Sequence, residues 1–374
     1  MKSLLLTVCL LTNVCPWASN SGRFFPATST RPAPVSFAAR RELKITVDPR
    51  IELLSVVQSL TDYFLINKDD TSYRRAVEKH FATFKNHPAV KLFSQMWRKG
   101  FNFQVPPSAM LYLSNPPELK LQRPFTDEII KRAGGPERLD QFLQTLRDFA
   151  RASDFNSFYR ANKKSYERMV DGVRAKARTL DYIYVLESYY RIRQHSYHVM
   201  LMPLAQELGF GVNLKRDDGR LDLYQMIGRS AVKDGFPLFG QGGEITLQNL
   251  VWHEFSHSFV NPLSEKHRET LAKYATLYAP ISKQMSEQAY SDWEHAVNEH
   301  VIRALTSRLA ALEISTEVGE RELQADKQRG FIYIEALAER LKEYESQPGK
   351  YPTFADFYPR LIEVFKEIQE RDKQ

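Results

Sequence analysis

One segment limits the folds open to this chain more than any other. Residues 247–260 read Leu-Gln-Asn-Leu-Val-Trp-His-Glu-Phe-Ser-His-Ser-Phe-Val, an apolar run interrupted by two histidines and a glutamate. The apolar density predicts a buried helix. Gly242 and Gly243 precede it, Thr246 is the candidate N-cap, and Pro262 is expected to stop it just after Asn261. Residues four apart stand one above the other on a helix, so His253 and His257 can offer two imidazole nitrogens to one point. Glu254 lies about 100° further round. A chance H-E-x-x-H in a chain this long is expected on the order of once in a hundred sequences. The bland alternative is a core helix whose histidines hydrogen-bond inside, but burying these three groups without a partner is costly. A metal ion is the partner they suit, with Glu254 placed to take a proton from an attacking water.

Two histidines do not complete a catalytic zinc site; a third protein ligand is needed. His257 is followed by Ser-Phe-Val-Asn-Pro, so a third histidine in the H-x-x-G-x-x-H continuation is absent. A glutamate on a later helix is the other common solution. The segment 291–305 is predicted as that helix, with Trp293, Val297, Val301, Ala304 and Leu305 as its packing side. Glu299 is the expected ligand, with Glu294 and His295 as the alternatives. His295, one turn before Glu299, is also placed to donate to a tetrahedral oxyanion, as is a tyrosine such as Tyr290. Arg303, one turn after Glu299, either holds that carboxylate or forms an ordinary surface pair. His300 points off this face. His80, His87 and His267 read as surface residues, and His195 and His198 flank a strand near the expected cleft.

The chain has 374 residues, 43% hydrophobic and 26% charged, as in ordinary globular proteins. Its net charge of +7 is scattered, with no stripe or motif for nucleic acid. Residues 1–22 have the pattern of a secretory signal peptide, with Lys2 ahead of a short apolar core. Both cysteines, Cys9 and Cys15, fall inside it. An exported chain would then carry no cysteine, leaving nitrogen and oxygen as its metal ligands. The expected location is secreted or periplasmic. No other segment is apolar enough for stable membrane insertion. Residues 23–41 are a Pro/Ser/Thr-rich flexible tether.

The expected fold class is α+β, predominantly helical, with a small mixed sheet ahead of the motif helix. Helical periodicity covers 49–66, 71–84 and 88–99, and Pro106-Pro107 and Pro116-Pro117 punctuate the next stretch. Thr126 opens a helix that Gly134-Gly135 closes, Pro136 opens the next, and a single amphipathic helix is expected over 156–178. Strands are expected at 43–47, 196–202, 211–214 and 221–227. An edge strand of such a sheet can pair with an extended substrate. Gly240-Gln241-Gly242-Gly243 either lines the cleft or is a plain turn. After the motif, helices are expected at 264–277, 289–311, 321–343 and 355–371. The division is a helical part over 42–180 and a catalytic part over 181–374, expected as halves of one globular unit from 42 to 374.

His-Glu-Phe-Ser-His-Ser-Phe-Val-Asn-Pro at 253–262, with Val-Asn-Glu-His-Val-Ile-Arg-Ala at 297–304, resembles an uncharacterised group of secreted bacterial proteins. That group is a domain of unknown function with a zincin-type motif. Arg50 to Val57 and His87-Pro88-Ala89-Val90 extend the resemblance upstream. It implies a zincin-like, gluzincin-type metalloprotein with His253, Glu254, His257 and Glu299 as site residues, and it implies no substrate. Asn298-Glu299 is similar to the Asn-Glu pair of thermolysin-like enzymes. Those enzymes carry an aspartate where Arg303 stands here, so another group must orient the histidines.

The expected function is zinc-dependent hydrolysis of a peptide or protein substrate, with Glu254 as general base. Two rivals are a non-catalytic secreted helical binding protein with structural or no metal, and a zinc amidase acting on cell-wall peptides. The sequence does not define an oligomeric state.

Overall fold

The computed structural model describes residues 41–66, 68–177, 181–240 and 247–372. The leader, the tether up to residue 40, the Gln241-Gly242-Gly243 stretch and Thr246 lie outside the described residues. The described chain is predominantly helical around a small mixed sheet.

Four strands form the sheet: β1 (Leu43–Thr46), β2 (Ser196–Met202), β3 (Gly209–Lys215) and β4 (Leu221–Gly228), in the order β1-β2-β4-β3. β1 and β4 run parallel to β2, while β3 runs antiparallel to β4 with Gly211 opposite Gln225. β3 is therefore an edge strand. A separate hairpin comes next, β5 (Ala231–Lys233) and β6 (Phe236–Leu238). Its turn is Asp234-Gly235, both at positive φ as this tight turn requires. This hairpin was not among the strands expected from sequence, although Asp-Gly is a turn signal.

Local chemistry sets many helix ends where the sequence placed them. Thr126 accepts a hydrogen bond from the Ile129 amide, and Gly134 closes the helix Asp127–Ala133 at φ +93°. Asp48 caps Pro49–Ser59, which ends short of residue 66. Other expectations fail, among them the single helix over 264–277, which the structure divides between the motif helix, Arg268–Ala272 and the 3₁₀ turn Ala275–Ile281. The helix expected over 156–178 is broken at Asn162, whose side-chain amide donates to the Phe158 carbonyl and ends the first piece. The stretch 321–343 belongs to two helices, Thr316–Gln328 and Ile334–Ser346, separated by Gly330 at φ +98°. Pro106 and Pro107, read as punctuation, mark a helix start: they lie in the first turn of Val105–Leu111, where their missing N–H groups cost nothing. Pro262 does not stop the motif helix, which runs Leu247–Lys266.

The continuation past Pro262 has a tertiary cause. Ser264 donates to the Asn298 side-chain oxygen and meets the Tyr358 hydroxyl, all buried. These contacts tie the turn after the proline to the helix Trp293–Glu313 and to Phe354–Arg371. They offset an interior proline that would otherwise cost about 3 kcal/mol.

The helix Trp293–Glu313 is buried along most of its length. It packs against the motif helix, Thr316–Gln328 and Ile334–Ser346. The motif helix lies between it and the sheet, touching β3 and β4. Tyr197 of β2 meets Phe255 edge to face at 5.3 Å, which defines the sheet face this helix covers. Among the described residues no helix is long and apolar enough to cross a membrane.

Candidate metal centre

The motif helix is fixed by its aromatic residues. Trp252 Nε1 donates to the Tyr182 carbonyl at 3.3 Å, and Phe259 stacks on Tyr190 with ring centres 4.2 Å apart. Phe255 rests on the sheet. With these faces anchored, His253 and His257 turn toward the helix Trp293–Glu313, where Glu299 faces them.

Three side chains converge. His253 Nε2 and His257 Nε2 are 3.3 Å apart. His257 Nε2 is 3.3 Å from Glu299 Oε1, and His253 Nε2 is 3.5 Å from Glu299 Oε2. Ligands held tetrahedrally at zinc–nitrogen and zinc–oxygen distances stand about 3.3 Å from one another. The trio therefore has the spacing that a small divalent ion requires. Among the described residues it is the cluster of metal-ligating groups whose donor atoms all lie within 4.8 Å of one another. Glu294 is not part of it: that carboxylate pairs with Arg268 at 2.9 Å. His295 is not part of it either. Its Nδ1 lies 2.8 Å from Asp292 Oδ2, and its backbone N–H donates to Asp292 Oδ1.

The surrounding charges keep the carboxylate ionised but favour a proton on His257, which a bound ion would displace. Burial would raise the Glu299 carboxyl, but His253 and Arg303 outweigh it and hold the group well below the usual carboxylate range. Arg303 Nη2 stands 3.1 Å from Glu299 Oε2 and Nη1 stands 2.8 Å from Asp326 Oδ1. The expected partner of Glu299 is thus a buried arginine gripped from a third helix. Burial lowers His257, yet its bonds to Glu299 and the carboxylates nearby win and raise it.

Asn261, one turn beyond His257, supplies the missing orienting group. Its Oδ1 lies 3.2 Å from His257 Nδ1. A side-chain carbonyl only accepts, so Nδ1 donates to it, and Nε2 is the nitrogen turned toward the cluster. The i,i+4 spacing on the motif helix was visible in the sequence, but Pro262 pointed to a helix end there.

Glu254, about 100° round the helix from His253, lies beside β3 and still feels the charges of His253, His257 and Glu299. It is 2% exposed, and neither carboxylate oxygen has a hydrogen-bond partner among the described residues. Burial raises its carboxyl, with His253 and His257 opposing. The strand residue beside it is Gly211, where an added Cβ would sit 3.7 Å from Glu254 Oε2. Ser258, one turn on, donates to the Asn213 side-chain oxygen at 2.9 Å. Gly211, Asn261 and Asp326 were not singled out from sequence. Gly211 and Asp326 reach the site only through long-range packing.

Other histidines serve the fold. His300 is fully buried, with Nδ1 2.6 Å from the Ala296 carbonyl. His198 alternates with Tyr197 and so faces away from the motif helix, where it stacks on Tyr224. His195 Nε2 is 3.9 Å from Asp222. His87 is less exposed than expected: it caps its helix through Ala89 and lies 3.2 Å from Asp148. His267 is half-buried on Tyr358. Tyr290 is buried, its hydroxyl 3.4 Å from Arg303 Nη2.

Fold and site together define an α+β protein with a largely buried His-His-Glu cluster that could hold a metal ion. The chain matches a domain of unknown function, DUF4932, over residues 104–364, and it belongs to that family. The match spans β2 to β4, the motif helix and the helix of Glu299. No curated protein and no solved structure matches the chain.

Proposed function

We propose that the chain is a zinc-dependent peptidase with a zincin-like centre, in which His253, His257 and Glu299 hold the ion. The observation that carries this reading is the buried carboxylate of Glu254, without a hydrogen-bond partner among the described residues, beside a cluster of three candidate ligands and a sheet edge. A purely structural metal site has no use for a base. Leaving such a carboxylate unsatisfied costs roughly 1–3 kcal/mol, a cost that function can explain. The antiparallel edge strand β3 beside the base supports a peptide as the substrate.

When bound, zinc would polarise the scissile carbonyl and acidify water. Glu254 takes the proton of the attacking water and later passes it to the leaving amine. His295, its Nδ1 beside Asp292, is the donor assigned to the oxyanion. Arg303 keeps Glu299 ionised and Asn261 keeps the His257 tautomer. With the leader read at 1–22, the proposed place of action is outside the cell or in the periplasm.

The test is peptide-library cleavage by the parent and by Glu254→Gln, with metal content measured on both. The variant is expected to keep about one zinc per chain and lose cleavage, and a chelator to abolish cleavage in the parent. Equal cleavage by the variant would remove Glu254 from the mechanism. Parent protein without metal would favour the binding-protein alternative.

A further inference from the structure

The edge of β3 carries a row of backbone groups turned away from the sheet. The Gly228 N–H bonds to the Leu208 carbonyl, and the Arg216 N–H to the Arg220 carbonyl, both at 2.9 Å. In an antiparallel ladder this phase turns the polar groups of Phe210, Val212 and Leu214 toward β4. Those of Gly211, Asn213 and Lys215 point outward. Among the described residues no strand pairs with that side. Glu254 lies beside Gly211 and Ser258 beside Asn213, so the motif helix and β3 run past one another in the same direction.

One step further along the edge the row is closed by a cation. Arg123, half-buried, donates to the outward Lys215 carbonyl at 3.4 Å. The Lys215 side chain is exposed on the face it shares with Gly211 and Asn213. The neighbouring charges are largely matched: Arg216 pairs with Asp222 at 3.1 Å and Arg220 with Asp218 at 2.6 Å. Arg123 and Lys215 form no ion pair among the described residues, while Asp217 lies on the turn beyond. The open edge thus runs from the candidate base to two positive charges.

We propose that the protein selects peptides carrying an acidic side chain on the N-terminal side of the scissile bond, bound as an added antiparallel strand on β3. The proposal rests on the peptidase reading for the position of the bond. An antiparallel guest enters with its N-terminal part at Lys215 and its reacting part at Gly211. By strand geometry the acidic residue falls about two to four positions before that bond. Arg123 and Lys215 act as specificity residues, and Asn213 and Gly211 supply main-chain bonds. A lysine on an exposed edge also discourages aggregation, a role that predicts no charge preference in binding.

The test uses full-length Glu254→Gln protein with zinc and two pools of fluorescein-labelled hexapeptides. The pools are randomised alike, except for a fixed Glu or a fixed Lys at the second position. Anisotropy is expected to show the Glu pool binding about five-fold tighter at low salt, as two rim charges would give. The preference should shrink in about 0.5 M salt and disappear with Arg123→Gln and Lys215→Gln together. The milder Lys215→Gln alone should halve it, roughly, if the double variant folds poorly. Equal binding of the pools, no binding of either, or an unchanged preference in the variants would overturn the proposal. Glu-pool preference without cleavage by the parent would sink the peptidase reading and leave the acidic-strand site standing. Equal kcat/KM for both pools in the parent would do the reverse.

Discussion

Arg303 holds Glu299 with one arm of its guanidinium and Asp326 with the other, at 3.1 and 2.8 Å. Its face lies 4.3 Å from the centre of the Phe331 ring. The Glu299 carboxylate is thus braced by a cation that is itself braced from the next helix. Arg303→Ala should lower zinc affinity about 10- to 100-fold, as loss of an orienting partner typically does. Arg303→Lys should recover only part, because an ammonium cannot span both carboxylates as a planar fork does. Competition with a chromophoric chelator measures both; parent-like affinity in the alanine variant would refute the brace.

Asn261 permits a sharper comparison. Asn261→Ala removes the acceptor for His257 Nδ1 and should weaken zinc binding about ten-fold. Asn261→Asp keeps the acceptor and adds charge, so it should bind zinc at least as well as the parent. Equal weakening in both variants would show that Asn261 matters for packing rather than for the tautomer.

The brace depends on how closely two helices approach. An added Cβ at Gly319 would lie 2.5 Å from Ala311 Cβ and 2.6 Å from the Ser307 carbonyl oxygen. Gly319 is two turns from Asp326 on one helix, as Ala311 is two turns from Arg303 on the other. Gly319→Ala should therefore cost about 1–3 kcal/mol in urea unfolding, and it should also weaken zinc binding. A stable variant with unchanged affinity would uncouple the crossing from the site.

Far from the site, Glu52 is fully buried with one oxygen bonded by Tyr73 at 2.5 Å and the other unpartnered among the described residues. Burial pushes its carboxyl up to about 7, against the opposing pull of the Tyr73 hydroxyl. A carboxyl that prefers its proton when folded stabilises the fold at low pH. That contribution is full below the ordinary value of 4.5 and is lost as pH rises through about 7. The loss between pH 4.5 and 8 should be on the order of 3 kcal/mol. Glu52→Gln should flatten this part of the profile in urea titrations at several pH values; an identical slope in parent and variant would contradict the assignment.

What the sequence revealed about the site was the part encoded by helical spacing. His253, His257, Glu299 and Arg303 stand at intervals of four on two helices, and the cluster assembles from those positions. Asp326 and Gly211 come from other elements, and no local pattern announces a contact made only when helices and sheet dock. The misread helix ends have the same origin. Asn162 and Gly330 interrupt amphipathic periods that continue on either side, so periodicity alone runs through them. The backbone cost of Pro262 predicts a helix end, whereas Ser264, Asn298 and Tyr358 decide the outcome through tertiary bonds. The strands were legible because β2, β3 and β4 are short β-rich runs bounded by turn residues.

Because the cluster joins two helices that are distant in sequence, it exists only after they have docked. Any ion it binds has no counterpart in the unfolded chain, so its binding free energy becomes folding free energy. The cluster is then also a clasp. Withdrawing the ion would loosen the pair Leu247–Lys266 and Trp293–Glu313 from within, and resistance to proteolysis would track the metal supply of the surroundings.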